Sequence, residues 1–286
     1  MPTLTHVAGS LLLGLALVSL SAGAAQASGT GASVRLYTLD CGRIDTTDLS
    51  AFSDTGEYDG RGGSLSAPCF LITHAKGILL WDTGLGDEIA ATQGGIDVDP
   101  TTHIRVDTTL HEQLAALGKT ESDVTHIAFS HLHFDHTGNA KRFTSSSWIL
   151  NKRELAWARS EEARGLVDLE SLANFNVPKQ VLIDGDHDVF GDGSVRILRT
   201  PGHTPGHQVL LIRLANAGNV ILSGDLYHTK ENEKEGRVPS FNVNRADTLA
   251  SFDRVARLLR NKRARLYVQH APEDVAALPR FPAYLD

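Results

Sequence analysis

A chain of 286 residues with 41% hydrophobic content and 26 glycines can build one sizeable core with many tight turns, the profile of a single α/β domain. Its formal net charge of −7 argues against a nucleic-acid-binding surface.

The chain opens on a targeting pattern. Leu11–Leu20 is an apolar run broken only by Gly14 and Ser19, and small residues follow up to Ala25-Gln26-Ala27, an A-x-A cleavage pattern. The run is short for an ordinary membrane span. Residues 1–27 are therefore expected to be an export signal. Its removal leaves 28–286 as one domain, periplasmic or secreted, with no stable membrane insertion. No Lys or Arg precedes Arg35, which is atypical for a signal and keeps a retained anchor as the alternative.

Past residue 33 strands and helices alternate. Val34–Leu39, Phe70–Thr73 and Ile78–Trp81 read as strands, the last two joined by the turn Ala75-Lys76-Gly77. Leu110, Leu114 and Leu117 recur at helical spacing within 107–117, and Gly118 stops them. Val124–Phe129 is apolar and β-prone, Trp148–Leu150 is a short strand, and a helix is expected near Glu154–Glu162. Val181–Ile183, then Val189–Phe190 and Val195–Leu198 around the turn Gly191-Asp192-Gly193, read as further strands. Val209–Leu214 and Val220–Leu222 form a second hairpin. A last helix over about 246–260 carries Leu249, Phe252, Val255, Ala256 and Leu259 on one stripe, and Leu266–Val268 is apolar again.

Three stretches fit neither strand nor helix: Asp40–Ala67, Thr92–Thr102 and Glu231–Asn244. The first contains Phe52 and Tyr58 and is expected to cover a substrate site, since long loops in compact domains are usually functional or disordered. The alternative is a surface loop pinned by the only two cysteines, Cys41 and Cys69. In an oxidising compartment such a pair often bonds; two buried free thiols are the alternative.

The most informative segment is Ser130-His131-Leu132-His133-Phe134-Asp135-His136, directly after the Val124–Phe129 strand. Three imidazoles and a carboxylate presented from one loop suit a borderline-soft divalent metal such as zinc. Asp82 also follows an apolar strand, and a carboxylate there can accept a hydrogen bond from a ligand imidazole.

The pattern H-x-H-x-D-H resembles the signature of the metallo-β-lactamase superfamily. The resemblance includes Leu79–Gly84, Thr200–His207, Ser223-Gly224-Asp225 and the late His270. It implies a four-layer αβ/βα sandwich with two metal ions at one sheet edge, most readily zinc. His131, His133 and His203 would hold one ion, Asp135, His136 and His270 the other, and Asp225 would bridge. His207 is expected to play a structural part instead. A bridging carboxylate lets two ions approach to roughly 3.5–4 Å, so hydroxide shared between them is available at neutral pH. Hydrolysis of an ester, thioester, lactone or amide follows from that arrangement.

Within the superfamily the chain is most similar to N-acyl-homoserine lactonases, on the strength of residues 130–136, Thr200–Gln208 and Asp225-Leu226-Tyr227-His228-Thr229-Lys230-Glu231-Asn232. The expected substrate is a small lactone or ester. Those lactonases typically carry a substrate-contacting tyrosine three residues after the bridging aspartate. Here His228 stands at that position, with Tyr227 one residue earlier. Asp135, His228 and Tyr227 are the candidate catalytic residues, and an imidazole can donate a hydrogen bond to an oxyanion or protonate an alkoxide. Asp225 argues against a true β-lactamase. A glyoxalase-II-like thioesterase shares the ligand set, and a non-catalytic metal-binding module has little need of all seven ligands.

Overall fold

Alternation of side chains along the strands divides the interior into layers. The computed structural model describes residues 1–5, 33–172 and 179–286, and the fold is that of the unit Ala32–Asp286. The export-signal segment lies outside the described residues apart from its first five. Among the described residues no helix is long and apolar enough to cross a membrane.

The chain lays down β1 (Arg35–Thr46), β2 (Gly63–His74), β3 (Gly77–Trp81), β4 (Ile96–Asp97), β5 (Thr102–Arg105), β6 (His126–Ala128), β7 (Ser147–Asn151) and β8 (Gln180–Ile183) in one mixed sheet. Their order is β4-β5-β1-β2-β3-β6-β7-β8. The second sheet holds β9 (His187–Asp188), β10 (Val195–Arg199), β11 (Gln208–Leu214), β12 (Gly218–Leu222) and β13 (Arg265–Tyr267), in the order β13-β12-β11-β10-β9. The short β14 (Tyr284–Leu285) returns to pair with β1.

The period of two decides which face each side chain covers. Ile72, Leu79 and Trp81 point between the sheets, where they meet Ile197, Leu210, Ile212 and Leu222. Their neighbours Leu71 and Leu80 point outward to Leu110 and Leu114 of α1 (Leu110–Ala116). On the other side Val209, Leu211 and Ile221 meet Val255 and Phe252 of the long helix Arg245–Lys262. Helix, sheet, sheet and helix thus form the four expected layers. Each fully buried Leu or Ile contributes roughly 1.5–3 kcal/mol to this core.

Several boundaries differ from the sequence reading. β1 continues to Thr46 through a bulge between Asp40 and Arg43, and β2 starts at Gly63, so much of the expected first loop is sheet. Cys41 sits in that bulge and is bonded to Cys69 on β2, with 5.6 Å between their Cα atoms. Thr92–Thr102 contains β4, which pairs with β5. The hairpin strand expected at Val189–Phe190 lies two residues earlier, at β9. Phe190 leaves the sheet to stack on His74, and the Asp188 carboxylate accepts hydrogen bonds from the amides of Gly191 and Gly193. The helix expected to Glu162 ends at Trp157. In the long C-terminal helix Phe252, Val255 and Leu259 of the expected stripe pack in the core, but Leu249 is 40% exposed, and Thr248 and Ser251 are buried near it.

Candidate metal centre

Loops at the ends of β3, β6, β10, β12 and β13 converge on one edge of the two sheets. β6 stops at Ala128, and the turn α2 (Phe134–Thr137) carries Asp135 and His136 back toward it. The loop between β10 and β11 brings in His203, the end of β12 brings Asp225, and the end of β13 brings His270. His131, His133, Asp135, His136, His203, Asp225 and His270 are all buried. They form two groups of close ligand atoms: His131, His133, His203 and Asp225 in one, Asp135, His136 and His270 in the other.

The spacing within each group is that of a coordination shell. In the first, His203 Nε2 lies 3.1 Å from His131 Nε2 and 3.0 Å from His133 Nδ1. In the second, His136 Nε2 lies 3.3 Å from His270 Nε2. A tetrahedral metal with nitrogens at about 2.0–2.1 Å would separate those nitrogens by about 3.3 Å. Asp225 divides its oxygens between the groups. Oδ1 is 3.0 Å from both His136 Nε2 and His270 Nε2, while Oδ2 is 3.4 Å from His203 Nε2 and 3.6 Å from His131 Nε2. Asp135 Oδ2 joins the second group at 3.4 Å from His270 and 3.6 Å from His136. The residues present fit two divalent ions sharing one carboxylate.

Partners behind the imidazoles fix their tautomers. His136 Nδ1 donates to Asp82 Oδ2 at 3.0 Å, His203 Nδ1 to Asn242 Oδ1 at 3.0 Å, and His270 Nδ1 to the Ser66 carbonyl at 2.6 Å. Each of these oxygens accepts only, so in the neutral imidazole the proton sits on Nδ1 and Nε2 aims a lone pair into the centre. Asp82 thus does what its place after β3 suggested. It sits at φ 56°, a strained position for a non-glycine residue, and its Oδ1 also accepts from the Ser130 amide at 2.7 Å. His207 is a support and not part of either group: its Nε2 accepts the Asp225 amide at 2.9 Å while its Nδ1 donates to the Thr200 carbonyl. Gly224 next to Asp225 has φ 51°, and a side chain there would overlap Ser130 and His207.

Burial and mutual proximity divide the imidazoles electrostatically. Burial pushes His131 and His203 well below their ordinary range and His133 down to about 4. Burial also opposes charge on His136, but Asp225, Asp135 and Asp82 outweigh it and hold that imidazole well above its ordinary range. His270 is raised likewise, with Asp225 overcoming burial. Asp225 would be raised by burial, yet His270, His136, His131 and His228 hold it well below the usual carboxylate range.

The two remaining candidates part company. His228 is buried in the centre, with Nε2 3.0 Å from Asp225 Oδ2 and its ring stacked on His270. Tyr227 points the other way and stacks on Phe252 at 4.5 Å between ring centroids, so the structure does not bring it to the site. Phe52, from the loop expected to cover the site, packs edge-on against His228 at 5.2 Å, and Phe241 does the same at 5.4 Å. The sequence reading missed Phe241, Asn242, Ser66 and the buried Glu154.

The metallo-beta-lactamase superfamily profile matches residues 62–270, most of this unit. The chain belongs to that superfamily. It is 30% identical over 262 residues to the N-acyl homoserine lactonase AttM of Azorhizobium caulinodans, covering 88% of this chain and 99% of that protein. The AttM lactonase of Agrobacterium fabrum is also 30% identical, over 88% of this chain and 98% of its own length. Among solved structures, an N-acyl homoserine lactone hydrolase with the product N-hexanoyl-L-homoserine at its catalytic metal centre superposes with a TM-score of 0.76 at 27% identity, covering 88% of this chain and 99% of the other. This superfamily member is a hydrolase, and its seven motif residues lie in two groups that could each hold a metal ion.

Proposed function

We propose that this protein opens the ring of N-acyl-homoserine lactones by hydrolysis, using two divalent metal ions, most readily zinc, bridged by Asp225. The observation that carries the reading is the division of the Asp225 carboxylate, one oxygen toward each group of ligands. Support for the substrate class comes from relatives named N-acyl homoserine lactonase that align over 88% of the chain. His131, His133 and His203 would hold one ion and Asp135, His136 and His270 the other. Bound there, the ions would make a water nucleophilic at neutral pH and polarise the lactone carbonyl.

The chain's own side chains do the rest. Asp135, the least buried side chain of the second group, would take a proton from the attacking water. His228 Nε2 would donate to the tetrahedral oxyanion or to the departing ring oxygen, which leaves as the hydroxyl of the opened product. Phe52 and Phe241 keep bulk water off that imidazole, which strengthens its hydrogen bonds. The signal-like first 27 residues and the Cys41–Cys69 bond support action outside the cytoplasm.

Protein stripped with a chelator and reloaded with zinc should regain turnover of an acyl-homoserine lactone. Parallel assays with a glutathione thioester and a β-lactam should show far lower kcat/KM. Preference for the thioester would overturn the lactonase reading.

A further inference from the structure

We propose that Glu154 is a positioning residue that ties together the two loops of the first ligand group and thereby sets the metal affinity of that group alone. The proposal rests on the metal reading above. Glu154 lies in the first turn of the helix Lys152–Trp157, whose N-cap is Asn151, and is 3% exposed. Its Oε1 accepts the Leu132 amide at 3.0 Å, and its Oε2 accepts the Gly206 amide at 2.9 Å.

Leu132 stands between His131 and His133, and Gly206 stands three residues after His203. One buried carboxylate therefore spans the two segments that supply every imidazole of the first group. Gly206 is packed so closely that a side chain there would overlap the backbone nitrogen and Cβ of Glu154 and the Asn151 carboxamide. The second group hangs on other supports, Asp82 behind His136 and the Ser66 carbonyl behind His270. Two backbone donors demand two acceptor oxygens. Glutamine, with the same shape, offers one acceptor and sets an NH2 against the other amide.

The test is metal titration of the purified chain with zinc against a competing chelator, comparing wild type with Glu154→Gln. Wild type should bind two equivalents. E154Q should keep one at wild-type affinity while the other weakens about 10- to 100-fold, the range expected when a partner behind a metal ligand is lost. In a His203→Ala background E154Q should add no further loss, whereas in a His270→Ala background it should weaken the remaining site by about the same 10- to 100-fold. A Glu154 acting only on overall stability would weaken both sites alike, and that result, or no change at either, overturns the proposal. Wild type that binds no metal would instead overturn the metal reading itself, and this inference with it. Should E154Q fail to fold, hydrogen exchange of metal-free wild type decides the matter. Protected amides at Leu132 and Gly206 support the clamp, and exchange as fast as in an exposed loop refutes it.

Discussion

His228 is the sharpest point of departure from the lactonase pattern, and removing its ring tests the proposed chemistry directly. Its Nε2 lies 3.0 Å from Asp225 Oδ2, and Phe52, Phe241 and His270 surround the ring, so water cannot readily take its place in His228→Ala. Loss of one oxyanion donor typically costs about 10²–10³ in kcat, and loss of a general acid about 10²–10⁴. We expect about 10²-fold, which at 1.36 kcal/mol per decade is roughly 2.7 kcal/mol of transition-state stabilisation. Steady-state kinetics on an acyl-homoserine lactone should show the drop in kcat, while metal analysis of the same preparation shows two equivalents retained. His228→Tyr restores a donor of similar reach and should recover much of the rate. Tyr227→Phe is the control: its ring stacks on Phe252 away from the centre, so kcat should hold. Activity that falls only in proportion to lost metal would make His228 a support for the site and not a donor. A crippled Y227F beside an intact H228A would refute the assignment outright.

Asp225→Ala should lose both metals and turnover together, because its oxygens face both groups; one retained equivalent with full activity would break the bridging assignment. His203→Ala should lower metal content sharply, whereas His207→Ala should act first on thermal stability through the Asp225 amide that it accepts. Replacing both cysteines with serine opens a loop of sequence separation 28, worth about 3–4 kcal/mol on the chain-entropy model, so the thermal midpoint should fall by roughly 10 °C. Metal uptake should also be asymmetric in pH. His136 and His270 are held above their ordinary range and must shed protons to bind, while His131, His133 and His203 are pushed down and already neutral at pH 7. Affinity at the second group should therefore rise with pH through neutrality, with proton release in calorimetry, while the first stays flat until the medium is well below pH 6.5; equal pH dependence at both would refute this.

What the sequence reveals and what it conceals share one physical cause. The candidate ligands are legible because they cluster in short loops that follow apolar strands, and four of the seven fall within six positions. Asp82 was legible for the same reason, as the polar residue that ends β3. Their remaining supports were not. Ser66 serves His270 through a backbone carbonyl, which any residue type provides, across a separation of 204 positions. Asn242 lies in a stretch with no periodicity, and its carboxamide meets His203 on one side and Thr248 on the other only once the chain has folded. Glu154, in Lys152-Arg153-Glu154-Leu155, reads as an ordinary surface-helix carboxylate until the packing of Gly206 buries it. The same distinction explains the boundaries. Bulged β1 loses its alternation at Asp40–Arg43, where the disulfide crosses, and the two-residue β4 is too short to show any period. In the last helix Phe252, Val255 and Leu259 pack as the stripe predicts, but Leu249 does not, because the N-terminal half of the helix faces a polar loop: Ser251 donates to the Pro201 carbonyl, and Thr248 accepts from Asn242. That half of the face is chosen by the His203 loop and not by hydrophobicity, so the site dictates local packing there as much as packing positions the site.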